Sequence, residues 1–326
     1  MPGFRTAIPP VHSEMKITHN DRVLCVGSCF AEHIGGRLNR LKFSTLVNPS
    51  GIVYNPVSLA ESLETLLSGG LCDESGLFEN LGLWHSFAHH GAFSHPNKKT
   101  VLENINRSLT EARAFLSKTS RLLVTPGTAH VFVFKKNGRI VANCHKVPGS
   151  QFERRRLSVE EVVAALTPVF KKLKHRLPAL EIVTTVSPVR HLRDGLVENQ
   201  RSKATLVLAL LQICEELSFV HYFPAYEIVL DDLRDYRFYE ADMAHPNKLA
   251  VDYVWQHFGQ AFFDEKTGEL CRQVERIVSA AEHRPFHRQS TEHQTFIQRQ
   301  LAAIEALQAK NPGLAFEEEI QKLTAP

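Results

Sequence analysis

Two short stretches, far apart in the chain, carry the residue types of nucleophilic catalysis: "VGSCFA", with Ser28 and Cys29, and "ADMAHPN", with Asp242 and His245. A serine hydroxyl attacks an acyl carbon only when a nearby base takes its proton, and the base works best when a carboxylate orients its ring. Asp242 and His245 stand three residues apart, so one tight turn can bring carboxylate and imidazole together. Cys29 is a competing nucleophile, because a thiol at a helix start ionises more readily than an ordinary one.

Position adds to residue type. Ser28 follows the apolar, strand-like run "RVLCVG" and precedes a helical pattern from Ala31 to Leu41. Open parallel sheets bind ligands at the carboxyl ends of their strands, where a helix start offers N–H groups and a positive dipole end to a developing oxyanion. A serine there also serves as a plain helix cap, and Ser28 taken alone fits that simpler task better. An Asp-x-x-His after the last expected strand, paired with a Gly-Ser after the first, tips the reading toward catalysis.

Strand-like and helix-like runs alternate in the way that builds parallel sheets from strand-helix-strand units. "STLVNPSGIVYN" precedes a helix with Pro56 in its first turn; the His-, Phe- and Gly-rich segment Phe78 to Lys98 reads as a long loop with one edge strand. A helix from about Val101 to Lys118 follows, then "RLLVTPGTAHVFVF" and "RIVANC" around Asn137-Gly138, the strongest short hairpin signal. Ser158 and Glu161 form a capping box at the start of a helix running to His175. "LEIVTTVSPV" reads as a buried strand stopped by proline; a helix from Gln200 to Leu217 leads to "FVHYFPAYEIVL", and Pro246 suits the first turn of the next helix. Beyond Gly259, Leu270, Val274 and Ile277 form one helical stripe, Arg284-Pro285 break it, and Ile297, Leu301 and Ile304 form another. The domain expected is therefore residues 1–260, with a helical extension over 261–326 that packs on the domain or on a second copy of the chain.

Composition narrows the class. With 43% hydrophobic and 22% charged residues the chain can bury a core and is not disordered. A net charge of +3 with no dense basic face argues against nucleic acid as partner. No run is long and apolar enough to span a bilayer, and the N-terminal residues lack the apolar core of a signal peptide, so a membrane is not expected as partner and the cytoplasm is the expected compartment. The six cysteines contain no Cys-x-x-Cys pair and are expected reduced.

"GSCFA", Gly27 to Ala31, is the sequence that names the GSCFA domain family, which resembles the SGNH or GDSL-like hydrolases. The resemblance runs from Val23 to Phe258 through "NPSGIVYNP", "WHSFAHHGAFS", "PGTAHVF", "VANCHKVP", "TVSPVRHLRDG", "NQRSKA" and "YEADMAHPN". It implies a three-layer α/β/α sandwich, flavodoxin-like in winding, with a central parallel sheet of about five strands, a hairpin insertion and the C-terminal helical extension. It also implies hydrolysis of an O-acyl ester, such as an acetyl ester, on a carbohydrate or small molecule, without metal or organic cofactor. Ser28 becomes the nucleophile in preference to Cys29, His245 the base and Asp242 its orienting carboxylate, with the backbone N–H groups of Ser28 and Gly51 receiving the oxyanion. The asparagine of the superfamily's third block is missing, because Gly127-Thr128-Ala129-His130 stands in its place. Asn143 either supplies that amide or is a turn asparagine.

Several further residues follow expected strands on the same side of the sheet. His145, Lys146, Arg190 and His191 can bind an anionic or hydroxyl group or make surface ion pairs. His85, His89, His90 and His95 lack a carboxylate or cysteine partner, so contact with substrate at the cleft rim, by His89 above all, is expected before metal binding. Transfer of the acyl group to a sugar hydroxyl, or carbohydrate or partner binding without catalysis, are the alternative functions, and the C-terminal helices offer a route to a homo-oligomer.

Overall fold

A computed structural model describes residues 6–283 and 290–324. Its centre is a five-stranded parallel sheet, built from β1 (Arg22–Gly27), β2 (Ser44–Val47), β5 (Arg121–Thr125), β9 (Glu181–Thr184) and β10 (Val220–Tyr222) in the spatial order β10-β9-β5-β1-β2. Along β1, Leu24 and Val26 enter one core while Val23 and Cys25 enter the other, and all four are buried. Burial on both faces is why the strands read as unbroken apolar runs rather than alternating ones.

Helices cover each face. On the side of Leu24 lie α2 (Pro56–Ser68), α3 (Lys98–Leu116), α4 (Val159–Arg176) and α5 (Gly195–Glu216). On the side of Val23 lie α1 (Cys29–Arg40) and α7 (Lys248–Phe262), joined by α8 (Glu265–Glu282), α9 (Thr291–Lys310) and α10 (Glu317–Thr324). This is the expected three-layer α/β/α sandwich. The C-terminal helices bury Val274, Ile277, Ile304, Leu307 and Leu323 in the same core as α1, and Lys42 reaches Glu319 at 2.7 Å to tie α10 to the end of α1. The expected Arg284-Pro285 break lies outside the described residues.

Two features of the periphery depart from the sequence reading. Where one edge strand was expected between Phe78 and Lys98, β3 (Leu77–Asn80) and β4 (Leu83–Ser86) form an antiparallel hairpin. Its two-residue loop, Leu81-Gly82, has positive φ at both positions, and a leucine where asparagine or glycine is customary hid the signal. The expected hairpin of β6 (His130–Phe134) and β7 (Arg139–Val141) gains a third strand, β8 (Phe152–Arg156), whose run of arginines carries no strand pattern. Pro246, expected inside the next helix, instead precedes Asn247, whose side chain caps α7.

Strand order also marks a place. From β1 the chain first adds β2 on one side and later β5 on the other, so the winding reverses between β1 and β5. Helices leaving neighbouring strands in opposite directions open a crevice at such a point. The residues that follow β1 and β5 there are Ser28 and Pro126-Gly127.

Candidate active site

Gly27 ends β1 at φ 143°, opposite Thr125 in the parallel register. A Cβ at Gly27 would drive into the Thr125 carbonyl, so only glycine lets the two strand ends close. Ser28 then turns into α1: its N–H donates to the Thr125 carbonyl at 2.9 Å and its Oγ accepts the Phe30 N–H at 3.2 Å. The serine is an N-cap and is completely buried, so an acyl group reaches Oγ only when a covering side chain gives way.

The space beside Gly127 shows which side chains lie around Ser28. A Cβ added there would lie 2.9 Å from His191 Nε2, 3.2 Å from the Tyr54 ring and 3.5 Å from Ser28 Cβ. Four residues from four connections thus meet at one point. Tyr54 and His191 touch edge to face, with centroids 5.4 Å apart. Gly127 is fixed from both sides, since its N–H donates to the Tyr54 carbonyl at 2.8 Å and its carbonyl accepts from Lys203 Nζ at 2.6 Å. Lys203, fully buried on α5, also donates to the Ser187 carbonyl at 2.6 Å, and burial pulls its ammonium down to about 7.

The loop after β2 forms another wall. Asn48, at φ 45°, accepts the Gly27 N–H on its side-chain oxygen at 2.8 Å, and Gly51 donates its N–H to the Asn48 carbonyl at 2.7 Å. The N–H groups of Ser28 and Gly51, expected as oxyanion donors, both serve carbonyl oxygens inside the fold. A Cβ at Gly51 would collide with His90, whose N–H binds the Ser50 carbonyl, so the segment carrying His89 and His90 backs onto this wall.

Asp242 and His245 occupy a turn after β10, past α6 (Ala225–Glu227). Asp242 Oδ1 accepts the N–H groups of Ala244 at 2.9 Å and His245 at 3.0 Å, while Oδ2 meets His245 Nδ1 at 2.6 Å. The backbone N–H groups of His245 and Ala244, with the imidazole, hold the Asp242 carboxyl down to about 2. With Oδ2 as acceptor, the proton on Nδ1 leaves Nε2 able to accept one. Both side chains are about half exposed. The turn is tethered to the crevice by the Arg190 N–H, which donates to the Ala244 carbonyl at 3.0 Å next to His191. Among the described residues no hydrogen bond joins Ser28 Oγ to His245, whose field instead reaches His191 and His33.

The remaining expected residues divide. His191 Nε2 is buried with no hydrogen-bond partner, and burial, followed by the charges of Lys203 and His245, lowers its pKa to about 3. Arg190 lays its guanidinium 4.0 Å over the Tyr239 ring and 5.1 Å from that of Tyr236. His145 is put to a different use: its Nε2–H donates to the carbonyls of Ser86 at 2.8 Å and His89 at 3.1 Å, so the ring braces the β3–β4 insertion. His89 is buried with Nδ1 on Ser86 Oγ at 2.9 Å, and burial lowers its pKa to about 4. His85 pairs with Ser94 Oγ at 2.7 Å and the Asn80 carbonyl at 3.1 Å. Asn143 Oδ1 accepts the His145 N–H at 2.9 Å in a turn where His145 and Lys146 both have positive φ. Cys29 has its thiol raised, by burial first and by Glu32 second, opposite to what a helix start alone would do.

Lys203 and Tyr54 were not singled out by sequence as parts of the crevice. The only available signal was a lysine inside the apolar helix face "RSKATLVLALL", a place where a charge is rarely left unpaired.

The family described as the GSCFA family matches residues 22–258, and the GSCFA domain protein, C-terminal domain, matches residues 274–325. Curated proteins give no match. Among solved structures, an acetyl xylan esterase (Est2A) from the rumen bacterium Butyrivibrio proteoclasticus is similar at 11% identity and a TM-score of 0.35, over 77% of this chain and 65% of that one. This chain thus spans just under two thirds of that protein's length.

Proposed function

The chain belongs to the GSCFA family, and with that premise and the strand-end crevice we propose that it is a serine-dependent esterase. Its substrate is an O-acyl ester, such as an acetyl ester, on a carbohydrate or similar small molecule. The observation that carries the reading is the Asp242–His245 pair, oriented at 2.6 Å and tethered through Arg190 to the loop whose next residue, His191, borders with Ser28 the space beside Gly127.

In the first step Ser28 Oγ forms a bond to the acyl carbon, its proton passes to His245 Nε2, and the carbonyl electron pair moves onto oxygen. Collapse of that oxyanion breaks the bond to the leaving alcohol, which takes the proton from His245. Water then repeats the sequence and releases the acid. Asp242 stays ionised throughout and stabilises the imidazolium.

A sugar ring is supported by the groove beside the His245 turn. It measures about 390 Å³ and is lined by Arg190, Gln200, Tyr226, Tyr236 and Tyr239 among others, so flat faces and hydrogen-bonding groups alternate. The six cysteines are all free thiols, which suits the cytoplasm.

Labelling with a fluorophosphonate probe tests the proposal, since the probe reacts with an activated serine. Wild type and Cys29→Ala take up the probe and Ser28→Ala does not. Failure of wild type to label favours the second reading, a binding module on the same fold, which rests on the complete burial of Ser28 and its engaged backbone N–H. With labelling established, offering water against a sugar hydroxyl to the acyl-enzyme separates hydrolysis from transfer.

A further inference from the structure

A tetrahedral intermediate on Ser28 places a negative oxygen in the crevice, and that oxygen needs donors. The backbone groups around it are already committed: Ser28 N–H to Thr125, Gly51 N–H to Asn48, Gly127 N–H to Tyr54 and Gly27 N–H to the Asn48 side chain. Asn143 sits against the segment after β4, its N–H on the Phe87 carbonyl at 3.2 Å and its Oδ1 on the His145 N–H at 2.9 Å. One polar side-chain atom in the immediate surroundings of Ser28 is both buried and without a partner, and it is His191 Nε2. Buried polar atoms are almost always satisfied, so an orphan bordering the same space beside Gly127 as Ser28 calls for a ligand group.

We propose that His191, as a neutral imidazole carrying its proton on Nε2, is the side-chain donor that receives the oxyanion formed on Ser28. The assignment rests on the esterase reading above and adds a residue to it. A Cβ at Gly127 would lie 2.9 Å from His191 Nε2 and 3.5 Å from Ser28 Cβ, so both border one space, and the His191 backbone is anchored where a donor must not move: its N–H is held by Asn199 Oδ1 at 2.8 Å. Its neighbours Lys203, His245, Arg154 and His130 are all basic, and burial acts in the same direction. The ring therefore stays uncharged at neutral pH and is unsuited to taking the serine proton. The half-exposed His245, with its own carboxylate, is left as the base. The two histidines thus take different tasks because one has its Nε2 buried among basic groups and the other faces solvent beside an anion.

The test uses the full chain with p-nitrophenyl acetate as probe substrate. The expected result for His191→Ala is a fall in kcat of about 10²-fold or more with KM nearly unchanged, as for loss of one oxyanion donor. His191→Asn, which offers an amide donor, recovers at least about tenfold of that loss. Both variants keep the acid limb of the kcat/KM profile, because that limb belongs to the base. Thermal midpoints within a few degrees of wild type confirm that the variants are folded. Wild-type kcat in His191→Ala overturns the assignment, and so does loss of the acid limb, which would make His191 the base. Equal losses in His191→Ala and His191→Asn also overturn it. A wild type that neither labels at Ser28 nor hydrolyses the probe sinks the esterase reading itself, so the two failures are distinct.

Discussion

Around Ser28 the backbone donors are engaged, the serine is fully buried, and glycine is required by contact at Gly27; around His245 the working side chains lie half exposed on a turn held by its own carboxylate. The first region is fixed by strand pairing, which tolerates almost no change of shape. The second is fixed by local hydrogen bonds, which leave its ring close to water. Changes to the backbone of the buried wall should therefore be read in stability, and changes in the turn in chemistry. Each prediction below tests that division.

The largest effect is expected at Asp242→Asn. The amide keeps an oxygen where Oδ1 accepts the Ala244 and His245 N–H groups, so the turn survives, but it cannot stabilise an imidazolium. For an esterase the expected drop in kcat is about 10⁴-fold with stability within about 0.5 kcal/mol of wild type. Unchanged turnover would remove the exposed turn from the chemistry. Next comes Gly27→Ala, which must push β1 and β5 apart at Thr125 and should cost about 3 kcal/mol in urea unfolding. A loss under about 1 kcal/mol would mean that the wall yields, and the contrast between the regions would fail.

Much of this arrangement was legible because strongly periodic or strongly apolar segments depend little on their surroundings. β1, α2 with Pro56 at its first turn, α4 with its Ser158–Glu161 box, and the Asp242–His245 turn all follow from local chemistry. The misses share a cause, namely that tertiary contacts decided them. β8 is a strand because His130 to Phe134 offers it a partner, although "FERRR" has no strand pattern of its own. The β3–β4 hairpin turns at Leu81-Gly82 because the strands pair, not because leucine favours positive φ. At the site, sequence could place His145 and His191 after strands, but not tell that one ring would be used up on two carbonyls while the other kept an unpartnered nitrogen.

Acid provides a milder way to sharpen the comparison. His89 and His191 have pKa values lowered by burial to about 4 and about 3, against an ordinary 6.5. Between those values and 6.5 the unfolded chain binds protons that the folded chain refuses, so stability is complete above about 6.5 and falls as pH drops. For His89 the expected loss is about 2 kcal/mol between pH 6.5 and 4, and His89→Gln should flatten the slope of denaturation midpoint against pH. An unaltered slope would mean that His89 is not shielded from water at the β3–β4 insertion.

The smallest effect on stability separates the two tasks of one residue. Ser28→Ala removes the oxygen that accepts the Phe30 N–H, and loss of a helix cap costs about 1 kcal/mol. That loss is expected whether or not the serine is a nucleophile, because it depends only on α1. Ser28→Thr keeps a hydroxyl for the cap but adds a methyl group to a fully buried position beside Tyr54, His191 and Gly127. If the serine both caps and attacks, alanine loses the cap and all acyl chemistry, while threonine keeps part of the cap and is slowed by crowding. A threonine variant as active as wild type would show that the cover over Ser28 is loose, and the contrast between a closed wall and an open turn would then be wrong at its central residue.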